Sequence, residues 1–241
     1  MTAEIVTAEI VTPDTPLRLV VFDMDGTLID SQALILAAMD RAFAAEHRAP
    51  PPPSDTLGII GLSLPEAFRR LAPSEDGPAI DRLCAAYRAA FVAIRAETGG
   101  EASSPLYPGA REAVARLAAR PETLLGVATG KARRGLSHAL AAHDLGGVFQ
   151  TLQTADDHPS KPHPSMLLRA LAETGAEAAH AVMIGDTEYD MEMARNAGFA
   201  ALAVTWGYHD EPRLRAAGAH AVIHGYHELE AALAALEEEG V

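Results

Sequence analysis

Two carboxylates two residues apart, Asp23 and Asp25, end a short apolar run and are followed by Gly26-Thr27. At the carboxyl end of a strand, a turn opened by glycine lets both side chains face one spot. One carboxylate could attack an electrophile such as phosphorus. The other could protonate the leaving oxygen and afterwards activate water. Taken alone, an Asp-x-Asp-Gly match is more readily a turn with solvated carboxylates.

Three further segments carry compatible chemistry. In GVATGK, the Thr129 hydroxyl and the Gly130 N–H at a helix start can grip phosphoryl oxygens, although a threonine there can also simply cap the helix. In PSKPHPSMLLRAL, Lys161 precedes a proline-opened helix and can neutralise both nucleophile and phosphoryl group as a compact point charge. In isolation such a lysine would sit on the surface, but the chain's only lysines are Lys131 and Lys161, and both fall in these segments. MIGDTEYD ends an apolar strand on Asp186 and places Asp190 one helical turn later on the same side. Hard carboxylate oxygens suit Mg²⁺, so Asp186 is expected to bind the metal directly. Asp190 is expected to act through a water or to orient Lys161. The simpler reading of both is a helix cap and a solvated first turn.

These residues need a frame. LRLVVFD from Leu17 reads as a buried parallel strand, being short, continuous and β-branched. Residues 31 to 107 then read as almost wholly helical. SQALILAAMDRAFAAEH opens with a capping serine, and AIDRLCAAYRAAFVAIRAE is a second long amphipathic stretch. Between them lie the proline tract Pro50 to Pro53, read as a loop, and the turn-rich LGIIGLSLPEAF. After Pro108-Gly109 strands and helices alternate: TLLGVAT, FQTLQT, AVMIGD, FAALAVT and AHAVIH each lead to a helix. The expected fold is α/β, a Rossmann-like parallel sheet with helices on both faces and an inserted α-helical cap domain. The core is expected over residues 17–30 and 108–241, the cap over 31–107, and an N-terminal extension over 1–16. That extension repeats Thr-Ala-Glu-Ile-Val at residues 2 to 6 and 7 to 11, too short a repeat for a solenoid. Every candidate residue named so far outside the insert falls at the carboxyl end of a strand or the start of the next helix, where ligands bind in such sheets.

Composition narrows the classes. At 241 residues and 49% hydrophobic, the chain can bury a core plus an insertion. The single cysteine, Cys84, excludes an internal disulfide framework, and no signal-like or bilayer-length apolar segment is read, so a cytoplasmic location is expected. The net charge of −14 argues against nucleic acid as a partner. It also means that an anionic substrate must be met by a local cation and focused donors. The expected partner is a small phosphorylated metabolite, with neither nucleic acid nor membrane.

DMDGT, ATGK, SKP and GDTEYD, in this order, resemble the four motifs of the haloacid dehalogenase-like hydrolases, and the resemblance runs from about residue 17 to the C-terminus. It implies that Asp23 is the nucleophile and that Asp25 is the acid/base and also gives Mg²⁺ its backbone carbonyl. Asp186 would complete the protein ligands, with Thr129, Gly130 and Lys161 on the phosphate. The insert resembles the subgroup with a mobile helical cap, and ATGKARRGL with GLSLPEAF looks most like phosphoglycolate phosphatase-type members. Cap contacts are expected from Arg69, Arg70, Ser63 and the Gly61 backbone. Asp25 argues against a dehalogenase, the absence of lysine from residues 31 to 107 against a phosphonate-cleaving member, and Leu64 against a sugar-phosphate mutase. Pyrophosphatase or nucleotidase activity stays open, as does a catalytically inactive binding or regulatory domain.

Overall fold

The computed structural model describes residues 16–99 and 104–240, so the duplicated N-terminal segment lies outside the described residues. The first strand, β1 (Arg18–Phe22), is followed by four helices, α1 (Gln32–Ala45), α2 (Pro53–Leu57), α3 (Leu64–Leu71) and α4 (Gly77–Glu97). Strict alternation follows: α5 (Ala110–Ala118), β2 (Thr123–Thr129), α6 (Arg133–Ala142), β3 (Thr151–Thr154), α7 (Ser165–Thr174), β4 (Ala181–Gly185) and α8 (Glu188–Ala197). The chain closes with β5 (Ala200–Val204), α9 (Glu211–Ala216), β6 (Ala221–Ile223) and α10 (Leu229–Glu238).

The six strands form one parallel sheet in the order β3-β2-β1-β4-β5-β6. Side chains alternate across a strand, so each face receives every second residue. Val20 and Phe22 of β1 pack with Leu125, Val127, Ile184 and the apolar sides of α5, α6 and α10. Leu19 and Val21 pack on the other side with Met183, Ala201 and the buried residues of α7 and α8. This double burial is why the strands read as continuous apolar runs. The strand order reverses between β1 and β4, whose register pairs Phe22 with Ile184. At such a switch point the loops leaving the two strands part and open a crevice. Asp23 and Asp186 are the residues that immediately follow β1 and β4.

Helices α1, α3 and α4 share a separate apolar cluster of Met39, Phe43, Phe68, Ile80, Leu83 and Cys84. Phe68 is fully buried between Phe43 and Tyr87, with ring centroids 6.0 and 6.1 Å away. The proline tract is not loop throughout. Pro53 opens α2, because a proline's missing N–H costs nothing in the first helical turn. Ser31 stands at the N-cap of α1 but makes no cap bond, because its hydroxyl is drawn to Asp25 instead. No helix among the described residues is long and apolar enough to cross a membrane.

Truncating a fully enclosed aromatic leaves a cavity that its neighbours fill only in part. Phe68→Ala is therefore expected to lower the unfolding free energy by about 3–5 kcal/mol in denaturant titration. A loss below about 1 kcal/mol would contradict a packed helical layer.

Candidate active site

The turn after β1 is bent by Gly26 at φ +84°, and a Cβ at this position would overlap the Asp186 carboxylate and the Tyr208 ring. Glycine is thus required by conformation and by space. The turn brings Thr27 against Asp186, whose Oδ1 accepts from the Thr27 hydroxyl at 2.9 Å. The backbone N–H of Tyr208 donates to Asp186 Oδ2, also at 2.9 Å. Thr27 is held in turn through its carbonyl, which accepts from Trp206 Nε1 and the Tyr226 hydroxyl at 3.1 and 2.9 Å.

Asp23, Asp186, Asp190 and Lys161 converge beneath the surface, each at most 1% exposed. Lys161 Nζ donates to Asp190 Oδ1 at 2.6 Å and stands 3.0 Å from Asp23 Oδ1. The second Asp190 oxygen is filled by Thr187, through its N–H at 3.1 Å and its hydroxyl at 2.6 Å, as part of the capping box that starts α8. The contrast with Asp23 is sharp: neither of its buried carboxylate oxygens receives an aligned hydrogen bond. Burial raises the Asp23 pKa to about 7, with Lys161 pulling it back and the Asp190 and Asp25 charges adding to the rise. Asp186 is also pushed well above the ordinary carboxylate range, by burial and by the charges of Asp190 and Asp23. Burial alone would lower the Lys161 pKa, but the Asp190 and Asp23 carboxylates together hold it above its ordinary value.

This arrangement fits a divalent cation. One oxygen from each of Asp23, Asp186 and Asp190 lies within 4.8 Å of the others, and the one buried ammonium among them contacts only Asp23 and Asp190. Asp190 already has both oxygens occupied, so the donors suited to a hard dication are Asp23, with free lone pairs, and Asp186.

The end of β2 faces the same place. Thr129 is fully buried, with its hydroxyl accepting from the Lys131 N–H at 3.2 Å. Lys131 Nζ pairs with Asp25 Oδ1 at 2.8 Å and lies 5.0 Å from the Phe91 ring centroid. The Ser31 hydroxyl also donates to Asp25. From the sequence, Ser31 is expected only to cap a helix and neither Lys131 nor Thr27 to contact the site carboxylates; for Lys131 the available signal is its rarity. Gly130 sits directly under the α2–α3 turn, where a Cβ would come within 2.5 Å of the Leu62 carbonyl oxygen and 2.7 Å of that of Gly61.

A cavity of about 860 Å³ opens above these groups, with Asp23, Asp25, Thr129 and Gly130 on its floor and Gly61 and Ser63 at its wall. The Ser63 N–H donates to Ser160 Oγ at 2.8 Å, tying the turn to the residue before Lys161. Arg69 and Arg70, expected at the substrate, are not part of this lining. Arg69 pairs with Glu66, and Arg70 reaches Glu66 and the Tyr189 hydroxyl at 3.0 Å while lying over that ring. The turn of α3 aims both away from the cavity, and Arg70 docks the helical layer to α8. The arginines that do line the cavity are Arg88, Arg95 and Arg134.

Residues 20–204 match the family model described as haloacid dehalogenase-like hydrolase. A relative named probable phosphatase IndB, from Dickeya dadantii, is 37% identical over 90% of this chain and 94% of its own. A phosphoglycolate phosphatase of Caulobacter vibrioides is 30% identical over 86% of each chain. A solved hydrolase from Pseudomonas syringae superposes with a TM-score of 0.79 at 26% identity, over 90% of this chain and 98% of the other. With the four motifs gathered at the switch point of the sheet, the chain belongs to the haloacid dehalogenase-like hydrolase family.

Proposed function

We propose that the chain is a Mg²⁺-dependent phosphatase that hydrolyses a small phosphate monoester through an aspartyl-phosphate on Asp23. The observation that carries this reading is the Asp23 carboxylate itself. It is buried at the floor of an open cavity, without an aligned hydrogen bond, and 3.0 Å from an ammonium. A structural aspartate so enclosed would have its lone pairs filled, as those of Asp190 are.

In the first half-reaction a carboxylate oxygen of Asp23 attacks phosphorus and the phosphorus–ester oxygen bond breaks. Asp25 gives its proton to the departing oxygen, with its carboxyl held in orientation by Lys131 and Ser31. In the second, Asp25 takes a proton from water as the water oxygen attacks phosphorus, which frees inorganic phosphate and restores Asp23. Lys161 stands beside the nucleophile as fixed positive charge, and Asp190 keeps it there. Thr129 and the Gly130 N–H are assigned to the phosphoryl oxygens. The Asp23 and Asp186 carboxylates with the Asp25 carbonyl would hold Mg²⁺, which when bound supplies charge neutralisation between these carboxylates and the phosphoryl group. Helices α1 to α4, within residues 31–107, act as a cap over the core of residues 17–30 and 108–241. By closing, the cap excludes bulk water from the ester.

Phosphate release from an aryl phosphate in the presence of Mg²⁺ is expected to fall at least about a thousandfold in Asp23→Asn, with the circular dichroism spectrum unchanged. Turnover near the wild-type rate would show that another group attacks.

A second expectation concerns stability without metal. The Asp23 pKa is raised to about 7, so the folded protein binds a proton that the unfolded chain has released between about pH 4 and pH 7. Stability from this group is therefore lost as pH rises through that window. Metal-free Asp23→Asn should melt at the same temperature as wild type near pH 4 and several degrees higher at pH 8. Adding Mg²⁺ should raise the wild-type melting temperature and leave Asp186→Ala unmoved, since only a ligand that binds the native state stabilises it. A less stable Asp23→Asn at pH 8, or equal Mg²⁺ shifts in both proteins, would contradict the proposed ligand set.

A further inference from the structure

The cavity is far larger than a two-carbon leaving group requires. Its volume of about 860 Å³ lies near the upper end of the roughly 300–1,000 Å³ typical of sites for drug-sized ligands. Its chemistry is also divided. Phe91 and Val92 of α4 and Leu62 of the α2–α3 turn give it apolar walls, and Val92 is left 54% exposed. Arg88 and Arg95 of α4 and Arg134 of α6 give it cations from both sides.

Those three arginines stand apart from the rest of the chain. Every other arginine donates to a carboxylate, a backbone carbonyl or a histidine ring. Arg88, Arg95 and Arg134 have no acceptor among the described residues, and all three line this one cavity. In a protein with 33 acidic residues and a net charge of −14, unpaired arginines do not arise from a shortage of carboxylates. Their spacing is regular as well. Arg88, Phe91, Val92 and Arg95 follow the i, i+3, i+4, i+7 rule of one helix face, so two cations bracket an apolar patch along about 10 Å of α4. The near end of this face is anchored to the chemistry: Lys131 Nζ lies 5.0 Å from the Phe91 ring centroid and 2.8 Å from Asp25 Oδ1. A leaving group protonated by Asp25 meets Phe91 first and the arginines beyond it.

We infer that the cleft selects a phosphate monoester whose leaving group has an apolar, aromatic body and a second anionic group remote from the scissile phosphate. The inference rests on the phosphatase reading and departs from the two-carbon leaving group that the sequence resemblance implies. Apolar body and remote anion make separable demands, the first on Phe91 and Val92, the second on the free guanidinium groups.

The test is steady-state hydrolysis, with Mg²⁺, of benzyl phosphate, 4-carboxybenzyl phosphate and 2-phosphoglycolate, all of which release an alkyl alcohol. Wild type is expected to favour benzyl phosphate over 2-phosphoglycolate at least about tenfold in kcat/KM. The carboxyl group should add about fivefold more, the size that an exposed ion pair supplies. In the Arg95→Gln/Arg134→Gln double variant the ratio of 4-carboxybenzyl to benzyl phosphate should fall to about one, through KM. Neither side chain makes a bond among the described residues, so an unchanged melting temperature is expected. A preference for 2-phosphoglycolate, or a carboxyl advantage that survives in the variant, would overturn the inference and leave the phosphatase reading standing. Failure of wild type to release phosphate from any of the three esters would remove both.

Discussion

The Lys161 side chain has no exposed surface and lies between Asp190, 2.6 Å away, and Asp23, 3.0 Å away, with Asp186 buried in the same group. Removing charges from water is costly unless they are paired, and here three buried carboxylates gather around one ammonium that contacts two of them. Asp190 and Lys161 satisfy each other, helped by the Thr187 cap. The remaining negative charge falls on Asp23 and Asp186, and burial raises the pKa of both. A site built this way holds affinity for cations and for electrophilic phosphorus in the same few ångströms. That affinity exists only because the doubly covered parallel sheet excludes water from the strand ends.

The surrounding structure reads as support for this charge imbalance. Gly26 and Gly207 carry no Cβ because one would collide with the Asp186 carboxylate. Thr27 is fixed by Trp206 and Tyr226 so that its hydroxyl meets Asp186. Gly130 leaves space for the Gly61 and Leu62 carbonyls to lie on the core, and Arg70 with Tyr189 fastens the helical layer beside them. Chemistry and selectivity thus separate by location. Strand ends supply fixed charge, and the faces of α4 and α6 supply a wall that the reacting atoms do not touch.

Much of the core was legible in the amino-acid sequence because a parallel strand covered on both faces must be a continuous apolar run, as RLVVF and AVMIG are. Where such a run stops abruptly at aspartate, a carboxylate has been placed at the crevice, and Asp23 and Asp186 stand out for that reason. Lys161 stood out because the chain uses so few lysines. The cap side was much less legible. Closeness in sequence to the turn points to Arg69 and Arg70, but the rotation of α3 directs them to Glu66 and Tyr189. The cavity arginines lie on α4 and α6, and only tertiary packing decides which face of each helix meets the cleft. Ser31 illustrates the same point on a smaller scale: a serine before a helix predicts a cap, but a nearby buried carboxylate took its hydroxyl.

The proposed reaction depends above all on a covalent bond from Asp23 to phosphorus. Acid quenching during turnover of a phosphate ester, borohydride reduction and peptide mass spectrometry would test it most directly, because an acyl phosphate is reduced to the alcohol. Homoserine is expected at position 23, with Asp25 and Asp186 unaltered. Reduction at either of those residues instead, or none at any aspartate while phosphate is released, would contradict it.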